Sequence, residues 1–215
     1  LWGFPKQLLT GTTSKVRTSG FAAFRAQYPY AQEHPGGTIP LETQLFVTTK
    51  LDHNIFEYLK SGGRVLLLEP DPVFSVEKTN FRLSSWDGGG PSGTIFDTKH
   101  AALRAMPSDG WCDLQFYPLI QGSKTILIDS IPTKIEPLVR CIDRPTRLAN
   151  RAYLFEALIG SGKLLVSGFN FPQAIGSGDP AGIFLLDQLV RYTLGPDFDP
   201  KASISEAALK VNAGK

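Results

Sequence analysis

The sequence predicts an α/β fold: a three-layer, mainly parallel sheet with helices on both faces and an added β-hairpin. Three observations carry this. Residues 44 to 71, QLFVTTKLDHNIFEYLKSGGRVLLLEPD, spell strand, capped helix, paired glycine and second strand without interruption. Within them Val65-Leu66-Leu67-Leu68 is apolar at every position, the mark of a strand covered on both faces. Further on, Ala152 to Phe171 holds two apolar runs joined by Gly160-Ser161-Gly162, a hairpin signature.

The elements follow in chain order. Ser14 to Thr18 sets Val16 between polar residues and reads as a short strand. From Gly20 one or two helical turns follow, with Phe21 and Phe24 inward. Pro29, Pro35, Gly36, Gly37 and Pro40 then mark a loop. Leu45, Phe46 and Val47 form the second strand. Asp52 caps the next helix, which turns Ile55, Phe56 and Leu59 to one side before Gly62-Gly63 ends it. From Pro70 to Pro107 the chain is rich in Gly, Pro, Ser and Asn, and DGGGPSG at 87 to 93 suits no regular element.

A short helix is expected from His100 to Arg104, with further short elements over 113 to 119 and 125 to 128. Glu136 to Ile142 reads as a strand between Pro137 and the Asp143-Arg144-Pro145 turn. Ala, Leu and Glu at 152 to 158 also suit a helix, and the glycine turn decides for the hairpin. Asp179 caps an amphipathic helix that carries Ile183, Leu186, Leu189 and Val190 along one face and stops at Gly195-Pro196. The polar tail from 201 is expected to fray.

The chain has 215 residues, 42% of them apolar and 11% aromatic, enough for a substantial core. Its 22 basic and 20 acidic residues leave a charge of +2 with no long run of either sign, which speaks against nucleic acid and anionic bilayers as partners. Runs such as Val65 to Leu68 and Ile183 to Leu186 fall far short of the roughly 20 residues that cross a membrane. Cys112 and Cys141 match no metal-binding spacing. GSGK at 160 to 163 lacks the full P-loop spacing, so no cofactor is expected. The opening LWGFPKQLL begins with Leu and lacks the pattern of a signal peptide. The reading is a piece of a longer polypeptide: residues 1–13 lead in from a preceding domain, 14–200 form the α/β domain, and 201–215 are tail. Trp2, Phe4, Leu8 and Leu9 are expected to pack rather than face water.

Several connected segments also resemble a known family. They are LFVTTKLD with SGGRVLLLE, the SSWDGGG to GTIFDTKHAAL stretch, SDGWCDLQF followed by PLI, and NRAYLFEALIGSGKLLVSGFNF ahead of LLDQLVRYTLG. Over roughly residues 44 to 195 the pattern resembles the class I glutamine amidotransferase-like, flavodoxin-type domain near the carboxyl end of many bacterial glycoside hydrolase family 2 enzymes, β-galactosidases among them. The resemblance implies a periplasmic or extracellular protein of carbohydrate metabolism, whose other domains are this domain's partners. The oligomeric state stays open.

Working amidotransferases place a cysteine on a sharp turn after a core strand, with a His and a Glu to activate it. Here the comparable strand runs into Glu69-Pro70-Asp71, and no catalytic residue is assigned. Cys112, after Gly110-Trp111, lacks the strand and glycine of such a turn, and Cys141 reads as an inward residue of a strand. Of His34, His53 and His100, the last is the best base, yet its place suits a helix start satisfied by the backbone. Asp87, Asp97, Asp113, Asp129 and Asp143 all sit in turn-like contexts where Asp bonds locally, so no pair of glycosidase carboxylates stands out.

The expected role is therefore a non-catalytic accessory domain. A second reading is carbohydrate binding, because Trp86 beside Asp87 and Trp111 near Asp113 join a flat apolar face to a hydrogen-bond acceptor. Trp86, Asp87, His100, Trp111 and Asp113 are its candidate ligand-binding residues. A third is a divergent hydrolase or amidotransferase using Cys112 with His100, which predicts fast thiol labelling at neutral pH.

Overall fold

The computed structural model describes residues 3–4, 15–79, 93–144 and 146–213, with side chains at 93 and 210–213 left aside. The chain opens as β1 (Val16–Ser19), α1 (Ala22–Gln27), β2 (Gln32–Glu33), β3 (Leu45–Thr48), α2 (His53–Lys60) and β4 (Arg64–Leu67). It continues as β5 (Val76–Lys78), β6 (Gly93–Phe96), a 3-10 turn at Leu114–Phe116, α3 (Tyr117–Ile120), β7 (Lys124–Leu127) and β8 (Val139–Ile142). The hairpin β9 (Arg151–Ile159) and β10 (Gly162–Ser167) follows, then α4 (Phe171–Gly176), α5 (Pro180–Leu194) and α6 (Glu206–Ala213).

Among the described residues all ten strands join one sheet. Its first half is parallel, in the order β2-β1-β3-β4-β10. Antiparallel pairing takes over at β9, the longest strand. One edge of β9 is used twice: β10 pairs with residues 154 to 159 and β7 then pairs with Ala152 and Arg151. The Lys124 N–H donates to the Gly168 carbonyl at 2.7 Å, where one strand hands over to the next. The other edge takes β8, which in turn holds β6. The sheet is thus more mixed than the sequence predicts: β5 and β6 form within the stretch expected to be loop, and with β7 and β8 they pair antiparallel.

Helices cover both faces, as predicted. Strand alternation sends Leu45, Val47, Leu66 and Leu165 to a core with Phe24 of α1, Phe171 of α4 and Leu185, Leu186 and Leu189 of α5. Phe46, Val65, Leu67, Leu164 and Val166 face a second core with Ile55, Phe56 and Leu59 of α2 and Leu209 of α6. That two-sided burial is why β4 is apolar throughout.

Caps set the helix ends. The Ile55 N–H donates to Asp52 Oδ1 at 3.0 Å, and the Gly182 N–H to Asp179 Oδ2 at 2.8 Å. At the far end of α5, Arg64 Nη1 donates to the carbonyls of Thr193, Leu194 and Gly195 at 2.8 to 3.0 Å, tying the start of β4 to that terminus.

Four expectations are corrected. Residues 100 to 104 form hydrogen-bonded turns rather than a helix: Leu103 and Arg104 N–H both donate to the His100 carbonyl, and Met106 closes back on Leu103. Ile183 is half-buried, and Phe184 and Leu185 bury instead, because α5 meets the core over a broad stripe. The strand expected from Glu136 begins at Val139, past Pro137, which lacks the N–H a ladder needs. Residues past 201 do not fray as expected: Ser203 bridges Leu158, Ile204 and Leu209 are buried, and Lys60 Nζ meets Glu206 at 2.7 Å. Of the opening residues Phe4 packs edge-on to Phe116 and beside Phe184; Trp2, Leu8 and Leu9 lie outside the described residues.

Candidate functional site

In a parallel sheet the carboxyl ends of the strands are where a ligand or a nucleophile would sit. Here β1 and β3 end in a small hydroxyl cluster: Ser19 Oγ lies 3.4 Å from Thr48 Oγ1, which accepts from the Lys50 N–H, and Thr49 Oγ1 donates to the Gly20 carbonyl. After β4 comes Glu69, whose carboxylate receives Lys124 Nζ at 2.6 Å, with Asp71 3.7 Å from the same ammonium. After β10 the Asn170 N–H donates to Ser123 Oγ, and Asn170 Nδ2 donates to the Gln121 carbonyl. Gly168 lies against Lys124 so closely that a Cβ there would strike the Lys124 carbonyl oxygen. The loop from 119 to 124 thus lies across the β4 and β10 ends and engages their polar groups.

Neither thiol is activated. Both cysteines are free. Burial pushes the Cys112 thiol up to about 12, against a hydrogen bond with Thr94 that lowers it, and burial likewise pushes Cys141 up to about 12. A thiol held that high is almost wholly protonated at neutral pH.

His100 is bound from both sides. Its Nδ1 accepts from the Ala102 N–H at 3.3 Å, so Nε2 carries the proton, 3.8 Å from Glu156 Oε1. The Tyr192 hydroxyl donates to Glu156 Oε2 at 2.6 Å, and its ring lies edge-on to His100 at 5.3 Å. Burial first, and then this carboxylate, hold the Tyr192 phenol well above its ordinary range. The imidazole therefore offers no free lone pair toward a thiol.

The turn acids act locally. Asp97 accepts from the Lys99 N–H, and Asp113 from the Gln115 N–H at 3.1 Å. Asp143 is the hub of a covered ion network. Its carboxylate accepts from Arg147 Nε at 2.7 Å and Nη2 at 2.5 Å and from the Ala149 N–H at 2.9 Å. Arg147 and the buried Arg151 both reach Glu77, at 2.8 and 2.7 Å. Arg147 first among these holds the Asp143 carboxyl far below the usual carboxylate range. Beside it Leu148 takes a left-handed backbone, φ 54°.

Trp111 stands on a different surface. It bridges Ile95 of β6 in antiparallel register, and Ile95 lies directly across from Arg140 of β8. Alternation sends Phe96, Val139 and Cys141 inward and leaves Trp111 56%, Ile142 52% and Ile95 47% exposed. Arg140 leads from there into a cleft of about 420 Å³ along residues 128 to 137. Trp111 and Asp113 lie at this edge, whereas His100 turns to α5; Trp86 and Asp87 lie outside the described residues. Arg140, Glu136, Asn150 and the cleft escaped sequence reasoning. The alternation in Val139-Arg140-Cys141-Ile142, which sets an Arg and an Ile outward on one strand, was the available signal.

Among the described residues no group of three or more His, Cys, Asp or Glu could hold a metal ion, and no helix is long and apolar enough to cross a membrane.

Comparison with known proteins returns little beyond a family. No curated protein matches. Among solved structures, a β-galactosidase from Rahnella sp. R3 aligns over 80% of this chain and 26% of its own, with 13% identity and a TM-score of 0.44. An exo-β-1,4-mannosidase from Opitutaceae bacterium strain TAV5 aligns over 76% of this chain and 28% of its own, with 14% identity and a TM-score of 0.40. The chain thus spans about a quarter of the length of either enzyme, and likeness at this level fixes neither fold detail nor activity. With residues 46–213 matched, the greater part of its length, the chain belongs to the family described as "Domain of unknown function (DUF8487)".

Proposed function

We propose that the chain is a non-catalytic accessory α/β domain of a multi-domain bacterial glycoside hydrolase, secreted or periplasmic, that packs against other domains of the same polypeptide. One observation carries the non-catalytic part. At the turn after β4, where an amidotransferase of this architecture would hold its cysteine, stands Glu69, paired to Lys124 at 2.6 Å. The thiols raised by burial and the doubly engaged His100 support it. The parallel order β2-β1-β3-β4-β10 supports the flavodoxin-type part of the reading, since it keeps the 2-1-3-4-5 arrangement with β10 as the fifth strand. The glycoside hydrolase context rests on the sequence resemblance over residues 44 to 195.

The test is an activity and labelling assay on the purified chain. Chromogenic β-galactosides and β-mannosides and free glutamine should be turned over no faster than in buffer, and iodoacetamide at pH 7 should label Cys112 more slowly than a model thiol. Glutamine hydrolysis abolished by Cys112→Ser, or glycoside hydrolysis abolished by a single carboxylate substitution, would overturn the reading.

A further inference from the structure

We infer that the outer face of β6 and β8, together with the cleft beside it, is a binding site for a neutral oligosaccharide. The inference deepens the accessory reading, and rests on it for its carbohydrate context alone. A pyranose offers an apolar face of C–H groups rimmed by hydroxyls, and is matched by a flat apolar platform next to fixed, planar polar groups. This surface has both. The platform is the Trp111 indole, with Ile95 as its cross-strand neighbour and Ile142 on the same face of β8. These side chains are about half exposed on a sheet whose opposite face is core, so the strands beneath are held in place.

The polar rim begins across from Ile95. Arg140 Nη1 donates to Asn150 Oδ1 at 3.5 Å, and Asn150 Nδ2 donates to Asp129 Oδ1 at 2.8 Å. On the other side Arg140 Nη2 lies 3.9 Å from Glu136, which receives Lys134 Nζ at 3.0 Å. Bonds from Asn150, side chain first and backbone second, hold Asp129 below its ordinary carboxylate range and hence an acceptor at neutral pH. Cations and carboxylates alternate along the rim, so the site has no excess of one sign to favour an anionic ligand. It presents donors and acceptors side by side, as a polyol requires.

The cleft is preformed. Ile128, Ile131 and Ile135 are buried beneath the loop, Pro132 and Pro137 stiffen it, and Thr133 Oγ1 donates to the Ser203 carbonyl at 2.9 Å. At about 420 Å³ it accommodates a sugar ring, with the next ring of the chain lying over Trp111.

Affinity electrophoresis of the chain through gels containing galactan, glucomannan, xylan or mixed-linkage β-glucan tests the site. At least one polysaccharide should retard the wild-type chain. Trp111→Ala should weaken retardation at least about tenfold, and Arg140→Ala should weaken it less. Both should lower the melting temperature by no more than a few degrees, because Trp111 is 56% exposed and the Arg140 side chain 42%. Three outcomes would overturn the site: no retardation by any of the four, retardation that survives Trp111→Ala, or a sedimenting dimer that Trp111→Ala converts to monomer, which would make a second copy the occupant. Each leaves the accessory reading standing, since that is decided by the turnover assay.

Discussion

At the scale of single residues, the most consequential side chain is Asp143. It is nearly covered, accepts hydrogen bonds from Arg147 and the Ala149 N–H, and lies 3.6 Å from Arg151 Nε, while Arg147 and Arg151 also share Glu77. Asp143→Asn removes one charge from a network that includes the buried Arg151, and should cost about 3 kcal/mol, read from urea unfolding at pH 7. The folded-state pKa of Asp143 is depressed. Its contribution is therefore complete above the unfolded-state value, about 4, and is lost as the pH falls below that. The wild type should lose stability on acidification from pH 5 to pH 3, and Asp143→Asn should lose less; equal losses would refute the assignment. The sequence showed a turn acid with Arg147 four residues on and nothing of the hub, because Glu77 of β5 and Arg151 of β9, which complete the network, come together only in the folded sheet. Arg140 was hidden for the same reason: its neighbour Ile95 is remote in sequence.

At the scale of elements, legibility followed burial. β3, α2, β4, the β9–β10 hairpin and α5 announce themselves through period and caps, since each is anchored on one core or on both. β2, β5 and β6 are edge or near-edge strands of two to four residues, too short to impose a pattern on the chain. The hairpin turn carries a further constraint. A Cβ at Gly162 would strike the Leu59 carbonyl oxygen and lie 2.6 Å from the Leu59 Cα, so β10 starts in contact with the backbone of α2. Gly162→Ala should cost about 2 kcal/mol and lower Tm by about 5 °C by calorimetry. A variant that melts with the wild type would show that α2 can retreat. Gly160 serves the turn differently, through its left-handed φ of 60°.

At the scale of the whole molecule, the sheet joins a parallel half, built from the first third of the chain and closed by β10, to an antiparallel half built from β5 to β9. Most of the first was legible, and β2, within the stretch expected to be a loop, was not. The fold class followed from a continuous stretch, whereas the handover from β10 to β7 along β9 depends on contacts no local pattern encodes. The candidate surface divides likewise: Trp111 stood out as a large aromatic beside an acid, and its setting required the register of β6 against β8.

The register of β4 against β10 pairs Arg64 with Lys163, roughly a hundred residues later. Closing that pair is an act of long-range loop closure, which favours slow folding over the fast collapse of local bundles. β4 thus gains its second neighbour only once residues 163 to 166 are made. Residues 15–79 produced as a separate peptide should show little sheet by circular dichroism and gain it only when residues 93–213 are added. The molecule has no self-sufficient half, and a break anywhere between β4 and β9 leaves both pieces dependent on finding each other.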